Sequence, residues 1–78
     1  MKRYYACEWF KNDGRFQTHV FNSKQGAYND AFMAFKTNPE VTHCEIWLWC
    51  YDSEDFYSEK FDMITRQEYY DLVIAEFF

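Results

Sequence analysis

Thr42-His43-Cys44-Glu45-Ile46-Trp47-Leu48-Trp49-Cys50-Tyr51 is the stretch that decides the fold of this chain. It is rich in aromatic, β-branched and aliphatic residues and holds neither Gly nor Pro, the composition of a strand. Side chains alternate along a strand, so Thr42, Cys44, Ile46, Leu48 and Cys50 share one face. His43, Glu45, Trp47, Trp49 and Tyr51 share the other. Both faces are largely apolar, whereas a strand open to water on one side ordinarily alternates apolar with polar. The strand is therefore either central and covered on both sides, or one of its faces is a binding surface.

Toward the C-terminus, Asp52-Ser53-Glu54-Asp55 reads as an acidic turn and Phe56–Asp62 as the returning partner strand. Pairing Tyr51 with Phe56 sets Trp49 opposite Ser58, Trp47 opposite Lys60 and Ile46 opposite Phe61. Thr65-Arg66-Gln67-Glu68 has the spacing of a capping box, with Thr at the cap and Glu three residues on. It opens a helix through Phe77 whose apolar positions are Tyr69, Tyr70, Val73, Ile74 and Phe77.

Toward the N-terminus, Lys24–Thr37 reads as a helix. Asn22 or Ser23 can cap it, because a short oxygen-bearing side chain accepts from the free first-turn amides. Asn38-Pro39 ends it, since the residue before proline avoids the helical region. Ala27, Tyr28, Ala31, Phe32 and Phe35 recur at helical spacing and form a core-facing stripe. Before the helix, Arg3–Phe10 and Arg15–Asn22 form a hairpin through Lys11-Asn12-Asp13-Gly14, where Gly14 can take a positive φ. With Phe10 opposite Arg15, Tyr5, Cys7 and Trp9 share a face with Phe16, Thr18 and Val20. Glu8, Gln17 and His19 then lie on the other face. A slip of one residue would exchange the faces of the second strand and set Cys7 opposite His19.

The expected fold is a single α+β domain over residues 1–78. Its order is β-β-α-β-β-α, a four-stranded antiparallel sheet with two helices. The halves also resemble each other. Ser23-Lys24-Gln25 matches Thr65-Arg66-Gln67, Tyr28 matches Tyr70, and Phe35 matches Phe77. At the same spacing Tyr5, Cys7 and Trp9 fall on Trp47, Trp49 and Tyr51, as a repeated β-β-α unit would.

Seventy-eight residues give one small core, yet nine Phe, seven Tyr and three Trp bring enough ring area to make it dense. The same rings exceed what so small a domain readily hides, which favours a partner. Thirteen acidic against eight basic residues leave a formal charge of −5. That disfavours binding to nucleic-acid backbones and suits a basic partner surface. Three irregularly spaced cysteines, no signal-peptide pattern and no apolar run of ~20 residues point to a reduced, cytoplasmic chain that does not enter the membrane.

The residues exclude most chemistries by spacing. Cys44 and Cys50 share a face but stand six residues apart, about 20 Å along a strand, too far for one metal ion or a disulfide. His43 and Cys44 point to opposite faces. Buried cysteine acting as a small apolar side chain is the expected reading, and no metal or cofactor is expected. A Cys7–His19 pair would need an orienting group and an oxyanion site, which nothing here suggests, so no enzyme is expected. Gly14 and Gly26 make no phosphate loop, and Asp52–Asp55 lacks the glycine and closing Glu of a calcium loop.

What remains is protein binding. Trp47, Trp49, Tyr51 and Phe56 are expected to form an aromatic patch rimmed by His43, Glu45, Lys60 and Asp62. Trp and Tyr dominate binding hot spots because they bring area with few rotors to freeze. Asp52, Glu54, Asp55, Glu59 and Asp62 are expected to address a basic partner. The alternative is that the C-terminal helix or a second copy covers the patch, and a homodimer packed through aromatic sheet faces would then have no inhibitory role.

In its length, acidity, compact β-β-α-type order and lack of a catalytic motif, the chain resembles small phage- or mobile-element-encoded inhibitors of the anti-CRISPR and anti-restriction type. That resemblance implies stoichiometric inhibition of a host protein or ribonucleoprotein complex by occupying a basic site. It carries over no individual residue.

Overall fold

Hydrophobic alternation over the third strand and helical spacing before it set the architecture of the computed structural model, which describes residues 2–77. The elements are β1 (Lys2–Lys11), β2 (Phe16–Phe21), α1 (Lys24–Thr37), β3 (Val41–Tyr51), β4 (Phe56–Thr65) and α2 (Arg66–Phe77). They form an α+β fold with one antiparallel sheet in the order β2-β1-β3-β4. β1 and β3 are central. The Phe77 side chain, expected on the last helix's apolar stripe and in the repeat, lies outside the described residues.

α1 starts where Ser23, with extended backbone, accepts a hydrogen bond from the Gly26 amide at 3.1 Å. It ends at Asn38, whose amide still donates to Ala34. The helix lies on one face of the sheet through Ala27, Ala31, Ala34 and Phe35, all buried. Against them sit Cys7 of β1, Val41, Cys44 and Ile46 of β3, and Ile64 of β4. Tyr69 of α2 joins the same cluster from the side, stacking on Phe35 with ring centroids 5.4 Å apart. α1 therefore covers one face of the sheet, and α2 adjoins the same side through Tyr69. The other face carries no helix.

The core is built differently from the expected aromatic one. Alanine at successive turns of the helix lets α1 sit close to the sheet, which leaves room only for small and medium side chains. Ile46, Val41, Cys7 and Cys44 are the largest fully buried side chains. Of the aromatic rings among the described residues only Phe35 is buried; Tyr5, Trp9, Phe21, Tyr28, Phe32 and Tyr69 pack around the margin.

Three strand details differ from the sequence expectation. Phe10 pairs with Phe16 rather than Arg15, because Asn12–Arg15 all belong to the loop. The Lys11 amide bonds Arg15 O at 2.9 Å, the Asp13 carboxylate accepts from the Arg15 amide, and Gly14 takes φ 86°. The shift moves Phe16, Thr18 and Val20 away from the helices and brings Gln17, His19 and Phe21 toward them. Phe21 then packs on the core and His19 reaches Asp30 of α1, at 2.9 Å.

The second difference is a bulge in β3–β4 pairing. Tyr51–Phe56, Trp49–Ser58 and Trp47–Lys60 pair as expected, but Ile46 pairs with Asp62, not Phe61. Phe61 is the extra residue, and its ring packs edge-on to Tyr5 with Lys24 above it. The third is that β4 continues to Thr65 and runs straight into α2. There Thr65 Oγ1 accepts from the Glu68 amide at 3.1 Å.

The repeat holds only for the helix starts, where Ser23 and Thr65 each accept from the amide three residues on. Tyr5, Cys7 and Trp9 point to the helix side, whereas Trp47, Trp49 and Tyr51 point away from it. Residues that face opposite sides of the sheet are not equivalent positions of one unit.

Candidate functional site

The helix-free face is a grid whose rows are the cross-strand pairs. One end holds Lys2, Tyr51 and Phe56. Next come Tyr4, Trp49 and Ser58, then Val20, Ala6, Trp47 and Lys60. A row of Thr18, Glu8, Glu45 and Met63 follows, and Phe16, Phe10, His43 and Thr65 close the face. Ala6 is fully buried although it lies on this face, since its row neighbours are so much larger. Tyr4, Val20, Trp49, Tyr51 and Lys2 line an open hollow of about 480 Å³ at the first end.

The rings of this face support one another. Tyr51 lies 5.0 Å and Trp49 6.0 Å from Phe56, and Tyr4 meets Tyr51 edge-on at 5.7 Å. At the far end Phe10 stacks on His43 at 4.5 Å with the planes 4° apart, and on Phe16 at 5.8 Å. Phe16 is 60% exposed and Phe56 55%, so this is a wet apolar surface rather than a second core. Neither helix lies over it. The expected aromatic set of Trp47, Trp49, Tyr51 and Phe56 is brought together on one face, while Tyr4, Phe10, Phe16, Val20 and Met63, not singled out from sequence, enlarge it.

The expected acidic set divides. Asp52, Glu54 and Asp55 sit in the exposed β3–β4 turn, where the Asp52 amide bonds Asp55 O at 2.8 Å. Glu59 pairs with Leu48 and Asp62 with Ile46, so both belong to the helix-side face. Tyr57 donates to Glu59 at 2.7 Å and Tyr28 of α1 to Asp62 at 2.5 Å. Burial and the Asp62 carboxylate push the Tyr28 hydroxyl up to about 12. The bulge at Phe61 turns Asp62 away from the aromatic patch, so it does not rim it as expected.

The acids of the open face are Glu8 and Glu45, directly opposite each other on β1 and β3. Glu45 is held by Lys60 at 3.3 Å and by the Trp47 indole N–H at 3.1 Å. Glu8 takes neither hydrogen bond nor ion pair among the described residues. Burial first, then the Glu45 charge, hold the Glu8 carboxyl above its ordinary value of 4.5, with Lys60 pulling the other way.

A carboxyl raised in the folded state favours the fold below its unfolded value, and that contribution is lost as pH rises through the folded value. Glu8→Gln removes the dependence. The variant is expected to melt above the parent at pH 7, and the gap should close as pH falls to about 4, where the unfolded carboxyl also protonates. Melting curves of both proteins at the two pH values check this; a gap independent of pH would show that the Glu8 charge does not oppose folding.

On the helix side the register sets Cys7 opposite His19. Asp30 Oδ2 accepts from the Trp9 indole at 2.8 Å and lies 2.9 Å from His19 Nδ1. The Cys7 thiol is fully buried, and its hydrogen bond with Cys44, then burial, push it far above the ordinary thiol range. Nucleophilic attack uses the thiolate, which this site disfavours. All three cysteines are free thiols. Among the described residues no three His, Cys, Asp or Glu side chains stand together as a metal site requires, and no helix is long and apolar enough to cross a membrane. Comparison with protein families, curated proteins and solved structures finds no match for the chain.

Proposed function

We propose that the chain is a non-catalytic protein-binding module, an inhibitor that seats its helix-free sheet face on a basic, nucleic-acid-binding surface of a host protein or ribonucleoprotein complex. The observation that supports this is the face itself: half-exposed Trp and Tyr rings surround an acidic row, and neither helix covers them. Rings supply desolvated anchor area and the charge supplies attraction to cations. A net charge of −5 repels nucleic acid itself while suiting a site built to hold it. The inhibitor would act in the host cytoplasm, where its thiols stay reduced.

The test is capture of the partner from a lysate of the native host on immobilised chain, then titration of that partner's nucleic-acid binding with free chain. Binding of nucleic acid should fall to completion near one chain per site, and the affinity of the chain for the partner should weaken with added salt. Trp49→Ala should weaken the inhibition by roughly thirtyfold, the equivalent of losing a hot spot of about 2 kcal/mol. A captured partner that holds nucleic acid equally well at saturating chain overturns the inhibitor reading.

A further inference from the structure

The open face carries two carboxylates and two lysines, and their placement along the strands is uneven. Glu8 and Glu45 stand directly opposite each other on β1 and β3, an arrangement in which like charges repel. Lys60 contacts Glu45 at 3.3 Å, which leaves Glu8 without an ion pair among the described residues. Lys2 also makes none, and it lies at the opposite end of the face, beside Tyr51. Six residues of β1 separate Lys2 from Glu8, about 20 Å at ~3.3 Å per residue, so the two cannot meet within one copy. The face is neutral as a whole, with a cation to spare at one end and a carboxylate to spare toward the other.

A surface polarised in this way is complementary to a copy of itself turned end for end. Consider a two-fold axis between the faces, running across the strands between the Tyr4–Trp49 row and the Ala6–Trp47 row. It sets the Lys2 row of each copy over the Glu8–Glu45 row of the other, so the missing ion pair forms twice. It also lays Tyr4 and Trp49 against Ala6 and Trp47 of the other copy. The Trp47 ring, fixed by its bond to Glu45, then meets the hollow of about 480 Å³ beside Tyr4 and Trp49. With the axis moved onto the Ala6–Trp47 row, Lys60 would face Lys60 and the Lys2 pairing would be lost. Identical sheets share one twist, so two of them stack at the roughly 30° usual for aligned sheets. The slab shape of the chain, 47 × 30 × 16 Å, presents this face broadly enough to be stacked.

We propose that the free chain pairs with a second copy through its helix-free face in this end-for-end arrangement, and that a host partner takes the face by displacing the copy. The displacement rests on the reading of this face as the partner-binding surface; the pairing does not. Four overlapping rows on four strands cover roughly 500 Å² of each copy, from ~6.7 Å per row and ~4.8 Å per strand. A total of about 1,000 Å² is where specific interfaces begin, so a dissociation constant of about 10–100 µM is expected, weak enough for a better partner to win.

Sedimentation equilibrium from about 1 µM to about 1 mM measures the pairing directly. Lys2→Glu and Glu8→Lys should each weaken it at least tenfold, because either change puts like charges in contact at both ends of the interface. Mixing the two variants is the decisive arm. Glu at position 2 of one then meets Lys at position 8 of the other, Glu8 meets Lys2, and the mixture should pair about as well as the parent. Dilution of the 15N-labelled parent gives a second reading that needs no variant: the amides of Tyr4, Glu8 and Trp47 and the Trp49 indole should shift together, and those of α1 should not. A parent that stays monomeric throughout, a mixture no tighter than its components, or shifts confined to α2 or to the outer edge of β4 would each overturn the proposal. The captured partner separates the two ideas. If the parent is monomeric, the pairing fails and the partner-binding reading of the face is untouched; if it pairs and saturating partner leaves the dimer intact, the partner sits elsewhere and that reading fails.

Discussion

Ile46→Ala is expected to lower the stability of the fold by roughly 2–5 kcal/mol, the range for emptying a packed aliphatic site. Ile46 is fully buried between Cys7 of β1 and the alanine stripe of α1, among the few medium-sized side chains in a core of small ones. Nearby alanines have no rotamers with which to fill the space, so the cavity cannot collapse cheaply. A chain of this size has a total stability near 5 kcal/mol, and each kilocalorie moves the midpoint by about 4–8 °C. The variant should therefore melt tens of degrees lower or fail to fold. Trp49→Ala, on the opposite face of the same strand, removes a half-exposed ring packed edge-on to Phe56 and should cost about 1 kcal/mol. Leu48, half-buried toward the open end of the helix side, should fall between the two. Thermal and urea unfolding of the three variants check the order. If Trp49→Ala unfolds the chain as severely as Ile46→Ala, the helix-free face is part of the core and not a surface for a partner.

The contrast between Ile46 and Trp49 was legible in the sequence because it needs only the two-residue period of a strand. α1 was equally legible, down to its limits, since Ser23 and Asn38-Pro39 act on their own neighbourhood. What escaped the sequence depended on contacts between elements. The β1–β2 register turns on one additional loop residue, and the choice is reinforced by His19 meeting Asp30 and Phe21 meeting the core, both remote in sequence. The bulge at Phe61 is another such case, and it removed Asp62 from the patch. Glu8 faces Glu45 only because β1 pairs with β3, a non-local pairing that no local pattern announces. Aromatic abundance misled in a different way: ring count suggested a dense aromatic core, whereas the alanines of α1 left too little space and sent the rings to the margin and the open face.

Arg66→Ala is expected to cost roughly 2–4 kcal/mol, because one side chain fastens α2 to the end of α1 through bonds from a charged donor. Its Nε donates to Val41 O at 2.9 Å, one terminal nitrogen to Phe35 O at 3.1 Å and the other to Asn38 O at 2.7 Å. Phe35 lies in the last turn of α1, where carbonyls have no helical partner and carry the negative end of the helix dipole. The guanidinium also sits over the Phe35 and Tyr70 rings, at 5.4 and 5.8 Å. Truncation leaves these carbonyls to find water in a half-buried crevice and frees α2, whose remaining hold on the core is chiefly Tyr69. Arg66→Lys keeps the charge but cannot span three carbonyls in diverging directions, so it should recover less than half of the loss. Urea unfolding of both variants, with hydrogen exchange of the α2 amides, measures the effect. In Arg66→Ala those amides should exchange well before the sheet unfolds. Should Arg66→Lys match the parent in both measurements, the positive charge at the helix end suffices and the fork of hydrogen bonds contributes little.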